Sequence, residues 1–310
     1  MLIDFFLVAV GLVLLTLGAD WLVRAVVTVA QRLNISTLLV SLTIVALGTS
    51  LPEFFVVIQA QIEDAPGIGM GNIVGSNIAN LLLILGFGAT LRPLATERGT
   101  LARDGLAMLI GTAIFVAGTS TGLITPWIGA LFVVLLISYF AFCVMKDGGV
   151  EADDDALELG PALAVLVALG GLAALIVGSD LLVRGGVSLA RTLGVGETVI
   201  GLTLVAVGTS LPELATTLAA VRRGHPEVIL GGILGSNLFN LLGVIGVAAL
   251  IKPIPVPEEI LRLDVWLMAL ATIVTLILLR TGWRLDRREG GMMLAAYGAY
   301  IAFQFGLFGS

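Results

Sequence analysis

Two short motifs carry side chains that could hold a cation. Gly-Thr-Ser-Leu-Pro-Glu occupies residues 48–53 and recurs at 208–213. Proline has no N–H, and its ring clashes with the carbonyl four residues earlier. Pro52 therefore frees the carbonyl of Gly48, and Pro212 that of Gly208. Both motifs lie inside long apolar stretches, where a carboxylate costs at least about 3 kcal/mol. No Lys or Arg lies between 33 and 91 or between 224 and 251 to pair with Glu53 or Glu213. A kink needs only Pro and Gly, so the glutamates call for a function. The second motif runs Gly-Asn-Ile-Val-Gly-Ser-Asn-Ile-Ala-Asn over 71–80 and Gly-Gly-Ile-Leu-Gly-Ser-Asn-Leu-Phe-Asn over 231–240. Ser76 and Asn80 share a helix face, as do Ser236 and Asn240. Taken alone, Asn77 and Asn237 read equally well as interhelical hydrogen-bonding residues. Together with Thr49, Ser50, Thr209 and Ser210, the motifs supply two carboxylates, six hydroxyls and amides, with no His, Cys or Met. Hard oxygen donors select calcium, magnesium or sodium over copper or zinc. A site of charge −2 is neutralised by one Ca²⁺.

These residues need elements that hold them at membrane depth. Of the 310 residues, 58% are apolar and 12% charged, and the mean hydropathy is +1.10. That excludes an ordinary soluble enzyme and a disordered chain. A net charge of −6 leaves no basic surface for nucleic acid. One cysteine, Cys143, allows no internal disulfide, and 39 glycines suit closely packed membrane helices. The start Met1-Leu2-Ile3-Asp4 lacks a basic leader and reads as a retained first helix. Charges and turn residues divide the chain into ten apolar helices: 2–31, 37–61, 68–91, 102–118, 124–145, 161–191, 197–222, 228–251, 263–280 and 290–308. Transmembrane strands need alternating polarity, and runs such as 81–85 are apolar all round. The expected fold class is an all-α integral membrane protein.

The chain also repeats itself. Residues 18–94 align with 178–254 at a constant offset of 160, so Asp20 maps to Asp180, Arg24 to Arg184, Glu53 to Glu213, Asn80 to Asn240 and Pro93 to Pro253. The expectation is a first five-helix unit at 1–145, an acidic linker at 146–160 and a second unit at 161–310. Five is odd, so the second unit enters from the opposite side as an inverted repeat, the plan of many secondary transporters. With the N-terminus outside, twelve Lys and Arg lie on the inner side and four on the outer. The positive-inside rule selects that orientation.

Other charged and aromatic residues have plainer readings. The linker, with one Lys and six carboxylates, reads as a solvated connection; Asp153, Asp154 and Asp155 are consecutive and lack the mid-loop Gly of an EF-hand. Asp20–Arg24 and Asp180–Arg184 read as intrahelical i,i+4 ion pairs. His225 reads as an inner-loop residue, and Trp21, Trp127, Trp266 and Trp283 as interface anchors.

The doubled pattern of GTSLPE followed by GNxxGSNxxN resembles the α-repeats of the calcium/cation antiporter superfamily, which includes the sodium/calcium exchangers. The motif match covers roughly half the chain. The resemblance implies ten helices, an outer N-terminus and alternating access. It implies that Glu53 and Glu213 bind Ca²⁺ and share sodium ligands, with Thr49, Ser50, Thr209, Ser210, Ser76 and Ser236 beside them. It also implies backbone ligands at Ala46 and Ala206. Members often carry Asn at the Asn80 position and Asp at the Asn240 position; here both are Asn. The site charge is thus −2, which two Na⁺ or two H⁺ would neutralise and three Na⁺ would exceed. Gly232, opposite Asn72, is a smaller asymmetry.

The sequence therefore points to a multi-pass antiporter of the cell's inner membrane exchanging Ca²⁺ for Na⁺, with calcium, monovalent cations and lipid as its partners and no cofactor. A Ca²⁺/H⁺ antiporter on the same scaffold is the alternative. A channel is disfavoured by the opposed midplane carboxylates. An intramembrane enzyme is disfavoured by a lone loop histidine.

Overall fold

The computed structural model describes residues 1–146, 156–193 and 206–308, and it is mostly helical. The helices are α1 (Leu2–Leu33), α2 (Thr37–Thr49), α3 (Leu51–Ile62), α4 (Pro66–Leu91), α5 (Leu101–Thr119), α6 (Pro126–Lys146), α7 (Pro161–Thr192), α8 (Leu211–Arg223), α9 (Pro226–Ile251), α10 (Ile260–Arg280) and α11 (Arg287–Phe308). Among the described residues, seven of these are long and apolar enough to cross a membrane. The pair α2 and α3, bent by 43° at Ser50, makes an eighth if it counts as one span. Boundaries expected from charge and turn residues fall within a few residues of those observed. Of the expected helix 197–222, residues 197–205 lie outside the described residues, as do 147–155 of the linker.

Burial sorts the helices into layers. The most apolar windows of α4 and α9 are 72% and 89% buried, whereas those of α1 and α6 are only 22% buried. The two helices with the Ser-Asn motifs therefore form the centre, and α1 and α6 present apolar surface outward, as helices in lipid do.

α1 and α7 cross antiparallel through glycines. A Cβ on Gly11 would come within 2.7 Å of the Gly178 carbonyl, and one on Gly18 within 2.9 Å of the Gly171 carbonyl. Gly178 and Gly171 are the residues 160 positions after Gly18 and Gly11. The contact is thus reciprocal: each half offers the same pair of glycines to the other.

Two short ribbons tie the halves together, and nothing in the sequence signalled them. β1 (Leu94–Ala95) pairs antiparallel with β4 (Arg284–Leu285), and β2 (Leu123–Ile124) with β3 (Ile254–Pro255). Two acid clusters, buried at Asp104 and half-buried at Asp264, fasten the outer helices. Asp104 of α5 accepts hydrogen bonds from Arg103 at 2.5 Å and from the Tyr139 hydroxyl of α6 at 2.9 Å. Asp264 of α10 accepts from Tyr300 at 3.2 Å and from Gln304 at 2.6 Å, both on α11.

One expectation is corrected. Asp180 does pair with Arg184, at 2.8 Å, but Asp20 reaches Arg223 of α8 instead, at 2.5 Å. An arginine from another helix outcompetes the i,i+4 neighbour because α8 packs along α1. His225 lies in the connection between α8 and α9, as expected. It sits buried at the N-terminus of α9, with Nδ1 2.9 Å from Glu227. Trp21, Trp127 and Trp266 are exposed, while Trp283 lies at a tight turn beneath the Arg98 guanidinium.

Candidate ion-binding site

Each glutamate stands in the first turn of a helix that restarts at membrane depth. Ser50 (φ −83°, ψ 6°) ends α2, and Pro52 lies in the opening turn of α3. Ser210 (φ −90°, ψ 9°) does the same ahead of α8, following the helical turn Ala206–Gly208. Proline is tolerated there because the first-turn N–H groups have no partner within the helix. Those N–H groups make the helix start partially positive, which suits Glu53 and Glu213 as carboxylates. Ser50 and Ser210 occupy the N-cap positions, yet neither caps with its side chain. Both hydroxyls are used across the interface between the halves.

The crossing is reciprocal. Ser210 donates to Glu53 Oε1 at 3.3 Å, and Ser50 lies 3.5 Å from Glu213 Oε1. Each glutamate also receives a hydroxyl from its own half: Ser76 donates to Glu53 at 3.4 Å, and Ser236 to Glu213 at 2.9 Å. Ser50 and Ser236 are in turn in hydrogen-bond contact, so the single Ser50 proton is shared between Ser236 and Glu213. Thr209 sits beside Glu53 and Thr49 beside Glu213. Thr49 also reaches the Ala46 carbonyl at 3.5 Å, which accepts the N–H of Ser50 as well. The side chain of Ala206 lies outside the described residues, and its backbone opens the turn before Ser210.

What the buried oxygens lack is as informative as what they have. Glu53 is 1% exposed and Glu213 4%, yet among the described residues Oε2 of each has no hydrogen-bond partner. The same holds for Oδ1 of Asn80 and for both amide atoms of Asn240. Buried polar atoms are normally paired, so a cluster of unpaired oxygens around two carboxylates needs a positive partner. Among the described residues, no three His, Cys, Asp or Glu side chains come together. The donors other than the two glutamates are therefore neutral hydroxyls, amides and carbonyls, which suit hard cations.

The carbonyls that the two prolines free are served differently. The Gly208 carbonyl is taken by the Ser179 hydroxyl of α7 at 2.6 Å, so a side chain supplies the partner that Pro212 removes. Ala19 stands at the corresponding place in α1 and has no hydroxyl to offer Gly48. Asn72 also enters the site: its amide donates to Thr209 at 3.4 Å. Gly232, its counterpart, lines a cavity of about 10 Å³ beside Glu213, Thr49, Thr216 and Thr217, room for about one water. The motif alignment marked that asymmetry without showing what it opens.

A helical membrane protein with paired carboxylates and neutral oxygens at its buried centre is, by class, a handler of hard cations. Comparison with known proteins gives the family. The sodium/calcium exchanger protein family model matches residues 3–145 and 163–306, and the chain belongs to that family. It is similar to the sodium/calcium exchanger MaX1 of Methanosarcina acetivorans, with 33% identity over 98% of this chain and 99% of that protein. It is also similar to the inner membrane protein YrbG of Escherichia coli, with 32% identity over 98% and 96%. Among solved structures, the sodium-calcium exchanger NCX_Mj soaked with 2.5 mM Na⁺ and 1 mM Sr²⁺ superposes with a TM-score of 0.87 at 29% identity, covering 97% of this chain and 98% of that one. Ion transport by antiport is therefore the class of activity.

Proposed function

We propose that the protein exchanges calcium for sodium across the cell's inner membrane by alternating access. The ions occupy one site built from Glu53, Glu213, Thr49, Thr209, Ser50, Ser210, Ser76, Ser236, Asn80 and Asn240, with the carbonyls of Ala46 and Ala206. Its frame is ten membrane helices in two inverted five-helix units, 1–145 and 161–310, joined by the inner linker 146–160. The N-terminus is outside.

One observation carries this reading. Each glutamate lies against a hydroxyl from the opposite half while keeping a buried Oε2 that has no partner among the described residues. A cation bridging the two Oε2 atoms would relieve both desolvated charges at once. The serines can turn a lone pair toward the ion while their protons stay on Oε1. Relative movement of the halves separates those crossing contacts, which suits a site opened first to one side and then to the other. The reciprocal glycine contacts of α1 and α7 support inversion of the units.

Charge sets the coupling. An occupied site that crosses the bilayer must avoid excess charge, because charge there is costly. Two carboxylates balance one Ca²⁺ or two Na⁺, so the exchange is two sodium ions for one calcium and carries little current. The test is the reversal potential of calcium flux in voltage-clamped vesicles: voltage-independent exchange is expected, and a one-charge dependence would count against it. Flux that ignores sodium and follows pH would reassign the driving ion to protons. Orientation is checked by replacing Cys143 and labelling Asp154→Cys. An impermeant reagent added outside intact cells should fail to label it.

A further inference from the structure

Asn237 lies one helical turn before the end of the motif on α9, and its side chain is fully buried. Its Oδ1 accepts a hydrogen bond from Asn80 Nδ2 at 2.9 Å, and its Nδ2 donates to the backbone carbonyl of Asn77 at 3.3 Å. Both ends of the Asn237 amide are thus engaged on α4. The consequence falls on Asn80. An amide presents an acceptor oxygen at one end and a donor nitrogen at the other, and only the oxygen can ligate a cation. With its nitrogen held by Asn237, Asn80 leaves Oδ1 free, and that oxygen is buried without a partner. We propose that Asn237 is a positioning residue that holds Asn80 with its carbonyl oxygen available to the ion. This rests on the ion site described above.

The other half is not preset in the same way. Asn77 and Asn240 are the residues that correspond to Asn237 and Asn80, yet among the described residues their side-chain amides have no hydrogen-bond partners. Asn80 is a ligand oriented in advance. Asn240 must be turned by the ion itself. A plain packing role for Asn237, gluing α9 to α4, would give the same hydrogen bonds but different kinetics.

The experiment measures ⁴⁵Ca²⁺ uptake into sodium-loaded proteoliposomes as a function of calcium concentration. Asn237→Ala should raise the half-saturating calcium concentration about five- to tenfold, the worth of one buried hydrogen bond, with little change in maximal rate. In an Asn80→Ala background the same substitution should add nothing, because its effect passes through Asn80. Asn237→Leu, which refills the volume, should behave like Asn237→Ala. An unchanged half-saturating concentration would overturn the proposal, as would an equal shift in the Asn80→Ala background. Loss of folding in both Asn237 variants would assign the residue to helix packing and overturn it too. Absence of calcium-dependent uptake in the wild type would instead overturn the exchange reading on which the proposal rests.

Discussion

Ser210 of the second half donates its hydroxyl to Glu53 of the first at 3.3 Å. The contact joins two residues that lie 157 positions apart and links the two halves at the buried centre. Ser50 stands at the matching position, 3.5 Å from Glu213, with its one proton shared between Glu213 and Ser236. A hydroxyl on a buried carboxylate is worth about 1.5–3 kcal/mol. Ser210→Ala and Ser50→Ala should each weaken calcium binding by about tenfold or more, at that scale. Isothermal titration of the purified variants with calcium checks this. Equal affinity for wild type and both variants would show that the crossing hydroxyls do not serve the ion.

The Asp20–Arg223 pair gives a second prediction. It is partly solvated, so its worth is about 1 kcal/mol or less. Asp20→Asn should lower the melting temperature slightly, and the charge swap Asp20→Arg with Arg223→Asp should recover most of the loss. Thermal unfolding in detergent at low and high salt measures both, with the smaller effect at high salt.

Motif spacing made much of this architecture legible. The constant offset brought Glu53 into register with Glu213 and Ser76 with Ser236, and the structure gathers those four side chains together. Proline positions foretold the breaks at Ser50 and Ser210. What stayed hidden depends on the docking of distant segments. Asp20 has a cation four residues away in sequence, so nothing local favours Arg223, which is 203 residues distant. Ser179 reads as an ordinary small helix residue until α7 brings it to the Gly208 carbonyl. The ribbons of Leu94 with Leu285 and Ile124 with Ile254 are two residues long, too short to show any periodicity. Asp104 and Asp264 share the repeat offset, but their tyrosine partners sit on the following helices, and the pairing appears only once those helices pack.

Packing at the centre leads to a third prediction. A Cβ on Gly235 of α9 would lie 2.2 Å from the backbone oxygen of Leu42 in α2. Backbone cannot yield cheaply, so Gly235→Ala should destabilise the protein by about 1–3 kcal/mol. Gly232, three residues earlier, borders the cavity, and a Cβ added there would meet no atom within 4 Å. Gly232→Ala should leave stability unchanged or raise it by about 0.5–1 kcal/mol, the usual gain of Ala over Gly inside a helix. Melting temperatures of the two variants should diverge in sign, and a parallel fall in both would contradict the packing described.

A fourth prediction concerns pH. Asp286 lies at the start of α11, where the backbone N–H groups of Glu289 and Arg288 hydrogen bond its carboxylate. Those bonds hold its pKa below the ordinary value. A depressed folded-state pKa means the stabilisation is present above the unfolded pKa and disappears as pH falls through the folded one. Asp286→Ala should therefore melt below wild type at neutral pH, and the gap should close in acid. Asp286→Asn should retain most of the cap, since asparagine accepts the same bonds.

In the proposed exchange, Glu53 and Glu213 together carry calcium one way and sodium the other. Its most direct measurement is ⁴⁵Ca²⁺ uptake into proteoliposomes with sodium and proton gradients imposed separately, on wild type, Glu53→Gln and Glu213→Gln. An outward sodium gradient should drive uptake in the wild type, a proton gradient alone should not, and each folded variant should show none. Uptake near the wild-type rate in either purified variant would show that the glutamate pair does not carry the ion.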